Sequence, residues 1–313
     1  MGRPGQGVIR PLASAAVWLP WDLAMVLAAV AFGASMLVRP ASRRRREARA
    51  VLRELGITTG LYALWRLSGE VVLMGTERAR SRGLSVWHLE RTLHLPNELT
   101  LQRWTLHALW LVRFANLYYV IMHVAPLGVF LVWLFFRHRD RYPEWRNLLF
   151  FISIACVAIQ LVPVAPPRLY PELGFIDTGA VYGPRVYAAG ESGQLAAMPS
   201  LHVGWAVLIG IAVVTVSTSR WRWLVLAHPA LTVFAVTVTA YHWLLDGIVA
   251  TGLLVAGILA GVLFRWARKQ PPTRPPRSDH ERSGDAGTSP LAVERPSVAL
   301  RRPAGSTEPA APA

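Results

Sequence analysis

Apolar runs long enough to cross a bilayer recur along most of this chain, and they limit what it can fold into before any other feature does. A spanning helix needs about 20 largely apolar residues. Runs of this kind fall at residues 17–38, 57–75, 112–136, 148–164, 201–218, 223–240 and 243–266. In hydrocarbon every backbone amide must find its partner inside the protein, so the runs predict helices rather than open strands. Composition agrees. Of the 313 residues, 53% are hydrophobic and 16% charged, where soluble domains carry about 25% charged residues. The expected fold is an all-α integral membrane protein of seven spans.

The first run is read as a retained helix. It lacks a clear small-residue cleavage site, and Arg39, Arg43, Arg44, Arg45 and Arg46 follow it as a stop-transfer pattern. The second run carries Arg66 and Glu70, whose spacing predicts an intrahelical pair facing the bundle. The net charge of +15 raises nucleic acid as a partner, but no basic fold with base-reading aromatics is visible. The arginines instead lie between the apolar runs, where they set topology and meet anionic lipid. Arg39 to Arg53, then Arg137, Arg139, Arg141 and Arg146, then Arg220 and Arg222, then Arg265, Arg268 and Lys269 mark alternate loops as cytoplasmic. The N-terminus is then outside and the C-terminus inside, in a plasma membrane. Residues 76–111 fall outside, with a short amphipathic interfacial helix expected around residues 84–89. The single cysteine, Cys156, excludes an intramolecular disulfide and a tetrahedral cysteine zinc site. The tail from about residue 270 is rich in Pro, Arg, Ser and Ala and is expected to be disordered.

Ionisable groups at membrane boundaries mark function, and three blocks carry them. They are Ala165-Pro166-Pro167-Arg168-Leu169, Met198-Pro199-Ser200-Leu201-His202, and the segment from Tyr241 and His242 to Asp246. The topology puts all three on the extracytoplasmic side. His242 and Asp246 are four apart, so on a helix the carboxylate can hold the imidazole. Attack on a phosphate ester needs an in-line nucleophile, a proton donor for the leaving oxygen and positive charge around the equatorial oxygens. His242 with Asp246 suits the first role and His202 the second. Arg168 offers planar donors, and Ser200 sits at a helix start that favours bound phosphate. Tyr241 joins them as a substrate-binding residue. Taken singly, each block has a plain structural explanation: an interfacial histidine, a stiff proline turn, a helix cap. Taken together, their order, spacing and sidedness agree.

At these residues the chain resembles the type 2 phosphatidic acid phosphatase superfamily, and within it the inositol phosphorylceramide synthase-like branch. The resemblance covers about residues 57–266 and implies a six-helix core, with one extra N-terminal span. The implied domains are residues 1–56 (span and basic loop), 57–266 (catalytic core) and 267–313 (tail). It further implies that His242 is the nucleophile, Asp246 its partner, His202 the acid, and Arg168 and Ser200 phosphate ligands, with no metal or other cofactor. The implied activity is a phosphoric ester hydrolase or phosphotransferase acting on a membrane lipid phosphate, with an alcohol or lipid as the acceptor in transfer.

The chain departs from the family pattern at several positions. Leu161 stands where the superfamily has a lysine, and Ala235-Val236 where it has serine-arginine. Arg185 is the candidate replacement cation, in a loop that also holds Tyr170, Asp177 and Tyr187. Tyr118, Tyr119 and His123 line the third span, with His123 expected as a satisfied core histidine and His228 as a packing or kink residue. Three other readings stay open: a head-group transferase, a transporter using the histidines and Asp246 as a proton relay, and a two-histidine, one-carboxylate metalloenzyme that a chelator would inhibit.

Overall fold

The computed structural model describes residues 19–68, 76–122, 124–183 and 195–269. The chain divides into two compact units, Met1–Ala267 and Arg268–Ala313. Among the described residues the only β contact is an isolated parallel bridge between Val164 and Ala196. The helices run α1 (Trp21–Leu37), α2 (Arg43–Ser68), α3 (Ala79–Thr92), α4 (Glu98–Leu106), α5 (Leu109–Ile121), α6 (Ala125–Arg137), α7 (Tyr142–Gln160), α8 (Thr178–Tyr182), α9 (Leu201–Val216), α10 (Ala227–Val238) and α11 (Leu244–Lys269).

Among the described residues two segments are long and apolar enough to cross a membrane, Arg220–Val238 and Leu244–Arg268. The pair α5 and α6 passes only jointly, bent by 47° at the break between them. The sequence suggested one continuous run there. Pro126, in the first turn of α6, has no amide to donate backwards, so it starts a new helix more readily than it continues an old one. The apolar helices α1 and α9 are shorter than a full span. The second apolar run belongs to a longer helix that begins in the arginine cluster at Arg43. Glu70 lies outside the described residues. The run at 148–164 ends as helix at Gln160, ahead of Pro163, whose ring disfavours helix in the residue before it. The amphipathic segment forms α3.

Burial is inverted in α1. Its inward residues are small, Ala24, Ala28, Ala31 and Ser35, while Leu23, Val26, Leu27, Val30 and Met36 face out. That pattern suits a helix whose surroundings are as apolar as its own side chains. Gly56 of α2 meets this small face so closely that a Cβ would lie 2.8 Å from the Phe32 backbone nitrogen. The main core gathers α6, α7, α9 and α11 around Phe130, Leu134, Trp145, Ile152, Trp205, Leu208 and Leu254.

One buried ion pair ties α2 to α7. Glu54 accepts from Arg146 Nη1 at 2.6 Å and from the Tyr142 hydroxyl at 3.2 Å. Removing Arg146 leaves Glu54 only the exposed Arg53, at 3.2 Å, as an ion-pair partner. Arg146→Met is therefore expected to destabilise the protein by about 3 kcal/mol, and Glu54→Leu/Arg146→Met to recover most of the loss, in thermal unfolding of detergent-purified protein.

Candidate active site

Prolines 163, 166 and 167 stop the chain after α7 from continuing as helix, so its amides need partners elsewhere. They find them in the other two blocks. Val164 N–H donates to Leu195 O at 2.8 Å, and Ala197 N–H returns to Val164 O at 3.3 Å. Arg168 N–H donates to Ala240 O at 2.9 Å, and the Trp243 indole donates to Ala165 O at 2.9 Å. Ser200 N–H donates to Asp246 O at 3.0 Å. The three motif blocks are thus laced by backbone hydrogen bonds into one unit.

The turn that delivers His242 is a helix C-terminus of unusual composition. Ala240 has φ +57°, the left-handed position normally filled by glycine. Its amide donates to Thr237 O at 3.0 Å and that of Tyr241 to Val236 O at 3.1 Å, the two bonds of a Schellman motif. Val236 also packs on Tyr241, completing it. The His242 amide reaches the same Val236 carbonyl at 3.3 Å.

His242 is buried, and its Nδ1 lies 2.8 Å from Ala197 O and 3.2 Å from Asp246 Oδ2. A carbonyl oxygen can only accept, so Nδ1 is the donor, and in the neutral ring Nε2 carries the lone pair. Asp246 Oδ2 also accepts from Trp243 N–H at 2.9 Å, capping α11 with the atom that orients the imidazole. The His202 ring stands 5.4 Å from that of His242, centre to centre.

A column of side chains links the other groups. Tyr119 stacks on His202 at 4.2 Å and on Tyr241 at 4.4 Å, and the Arg168 guanidinium lies 4.9 Å over Tyr241. Gly179 makes room for the Tyr241 hydroxyl, which a Cβ there would strike. Arg168 Nη1 is paired with Asp177 Oδ2 at 3.3 Å. Ser200 is fully buried and caps α9 by accepting from Val203 N–H at 3.4 Å. The structure therefore gathers His242, Asp246, His202, Arg168, Tyr241 and Ser200. Arg185, Tyr187 and His123 lie outside the described residues. Tyr170 is a buried packing residue whose hydroxyl donates to Arg80 O at 2.6 Å. His228 shares a 2.7 Å hydrogen bond with the Tyr118 hydroxyl, joining α10 to α5. Val236, at a position where the family has a cation, is buried against Tyr119 and Tyr241. Among the described residues no three His, Cys, Asp or Glu side chains gather to hold a metal ion.

Sequence reasoning missed two carboxyl groups. Glu90 of α3 accepts from Leu245 N–H at 2.7 Å, and Glu98 of α4 accepts from Leu244 N–H at 3.2 Å, both fully buried. Arg91 Nη2 lies 3.0 Å from Glu98. Burial, and then contact with Glu98, push the Glu90 carboxyl up to about 9. Beside the site, Val203, Val207, Val233, Val236, Leu244 and Ile248 are among the residues lining an apolar groove of about 430 Å³.

The PAP2 superfamily profile matches residues 84–260, more than half of the chain. The chain belongs to the PAP2 superfamily. The matched stretch starts within α3 and takes in all three motif blocks, leaving α1 and α2 outside it. No curated protein and no solved structure matches the chain. PAP2 superfamily members are generally phosphatases, and membership supports an enzyme with phosphatase-type activity on phosphorylated substrates.

The Glu90 carboxyl gives the PAP2 protein a pH signature. Below pH 4.5, the group's ordinary value, folded and unfolded chains both keep the proton. From there to about 9 only the folded chain keeps it, so the contribution of Glu90 to stability falls as pH rises. Glu90→Gln keeps an acceptor for Leu245 and cannot ionise. Its Tm is expected to exceed that of the wild type by a margin that widens between pH 5 and pH 8, measured in detergent.

Proposed function

We propose that this PAP2 superfamily member is a lipid phosphatase or phosphotransferase working through a phosphohistidine at His242. The observation that carries the reading is the pair of acceptors on His242 Nδ1, which leaves the Nε2 lone pair as the nucleophile. Nε2 attacks phosphorus, the bond to the leaving oxygen breaks, and His202 delivers a proton to that oxygen. Asp246 stabilises the positive charge that develops on the imidazole. Arg168, held over Tyr241, binds the equatorial oxygens together with Ser200, and Arg185 is the candidate for a further cation. Water or an alcohol, deprotonated by His202, then attacks the phosphohistidine and restores His242.

The apolar groove supports a lipid substrate, since Trp243 and Leu244 of its lining follow His242 directly and Val203 follows His202. The alternating arginine clusters support seven spans, an extracytoplasmic site and a cytoplasmic tail in a plasma membrane. One observation favours transfer, in the manner of an inositol phosphorylceramide synthase. Asp177 offsets Arg168, and Val236 and Leu161 are apolar where the family has cations, so the site suits a phosphodiester better than a doubly charged monoester.

Nanodisc-embedded protein offered 32P-labelled dioleoyl phosphatidate should form an acid-labile, base-stable phosphoprotein, with turnover falling about a thousandfold in His242→Ala. An unlabelled variant with wild-type turnover would remove His242 as nucleophile. Running the same assay with lipid phosphodiesters and with or without an alcohol acceptor separates hydrolysis from transfer. EDTA is expected to leave the rate unchanged. Filling the groove with Thr251→Trp should raise KM for dioleoyl phosphatidate about tenfold relative to KM for p-nitrophenyl phosphate.

A further inference from the structure

We propose that Glu90 and Glu98 are positioning residues for the His242–Asp246 pair, acting through the first turn of α11. This rests on the reading of His242 as nucleophile. Three consecutive amides open that helix, and three carboxyl groups from three elements accept them. Trp243 donates to Asp246 of α11 itself, Leu244 to Glu98 of α4, and Leu245 to Glu90 of α3.

Where other helices here have a side-chain cap it comes from the preceding residue, α4 by Asn97, α8 by Asp177 and α9 by Ser200, while α1, α3, α5, α6, α7 and α10 have none. The N-cap position of α11 is Trp243, which has no side-chain acceptor to offer. Its free amides are met instead by residues 146 and 155 positions away in the chain. Two carboxyl groups placed side by side in a fully buried site are costly to keep. A local serine would cap the helix at less cost, but it would not fix α11 against α3 and α4.

That fixing matters because of where His242 lies. Its amide is held by the end of α10 and its imidazole by Ala197 O and by Asp246 at the start of α11, so the ring is fully placed only when all three segments are. The charged and titratable groups facing the carboxyl pair are Arg91 from α3 and Asp246 from α11, the latter in contact with His242. Displacing α11 by a fraction of an ångström would move Nε2 off the line of attack.

The test compares Glu90→Gln and Glu98→Gln, which keep an acceptor, with Glu90→Leu and Glu98→Leu, which lack one. Glu98→Asp keeps a carboxyl group near Arg91 but withdraws the acceptor by one methylene, and it serves if the leucine variants fail to fold. Full-length protein in nanodiscs is assayed with p-nitrophenyl phosphate and dioctanoyl phosphatidate. The His242 ring N–H signal is followed in 15N-histidine-labelled protein without substrate, and assigned with His242→Ala. The glutamine variants should stay within about twofold of wild-type kcat, while the leucine variants lose about a hundredfold in kcat with KM little changed. The Nδ1–H signal should shift or broaden in the leucine variants and in Glu98→Asp. Folded leucine variants, or Glu98→Asp in their place, with wild-type kcat and an unmoved signal would overturn the proposal. If the wild type itself turns over neither substrate, the phosphohistidine reading fails, and the His242 signal still decides whether the carboxyl pair positions that ring.

Discussion

A backbone amide buried away from water has to find an acceptor, and three non-helical segments meet at one end of this bundle. Val164 to Arg168, Leu195 to Ser200 and Ala240 to Trp243 each leave a helix or approach one, and amides of the first two are met outside their own segments. They satisfy one another: Arg168 with Ala240, Ser200 with Asp246, Val164 with Leu195, and Ala197 with both Val164 and His242. The site is therefore what results when three chain crossings share their hydrogen bonds. Its residues come from positions far apart in sequence because the crossings do.

Above this backbone frame the side chains form a second order of support. Arg168, Tyr241, Tyr119 and His202 succeed one another in a continuous column. A guanidinium and an imidazole at its two ends are kept at a set separation by two phenol rings. Rings lose little freedom when stacked, so such a column is stiff. Val236 packs on its flank beside Tyr119 and Tyr241.

Much of this was legible in the residues themselves. Arg168, His202, His242 and Asp246 stood out because charged and titratable groups at the edges of apolar runs are rare; the four-residue step suggested the pairing of His242 with Asp246, although His242 lies in the turn ahead of α11 and not on a helix with it. Ser200 read as a cap because it precedes an apolar run. Other features left little trace. Ala240 takes a left-handed conformation that only a glycine would have advertised. Glu90 and Glu98 sit in short amphipathic helices where an acidic residue reads as a solvated one, and their partners are amides, which have no letter in the sequence. Tyr119 was visible as an aromatic in a helix but not as the middle of a stack, since stacking depends on the crossing of α5 with α9 and α10. The break between α5 and α6 was hidden by unbroken hydropathy, although Pro126 was there to be read.

Large side chains on the outside of α1, with alanines and a serine on the inside, reverse the usual arrangement of a water-soluble helix. Trp110, Val129, Phe136 and Leu263 extend the same greasy exterior around other helices. A surface of this kind does not persist bare in water, because it would bind whatever amphiphile or neighbour was at hand. The particle that leaves a membrane extract is therefore heavier than the 34.6 kDa of its chain, by the mass of the amphiphiles that coat it.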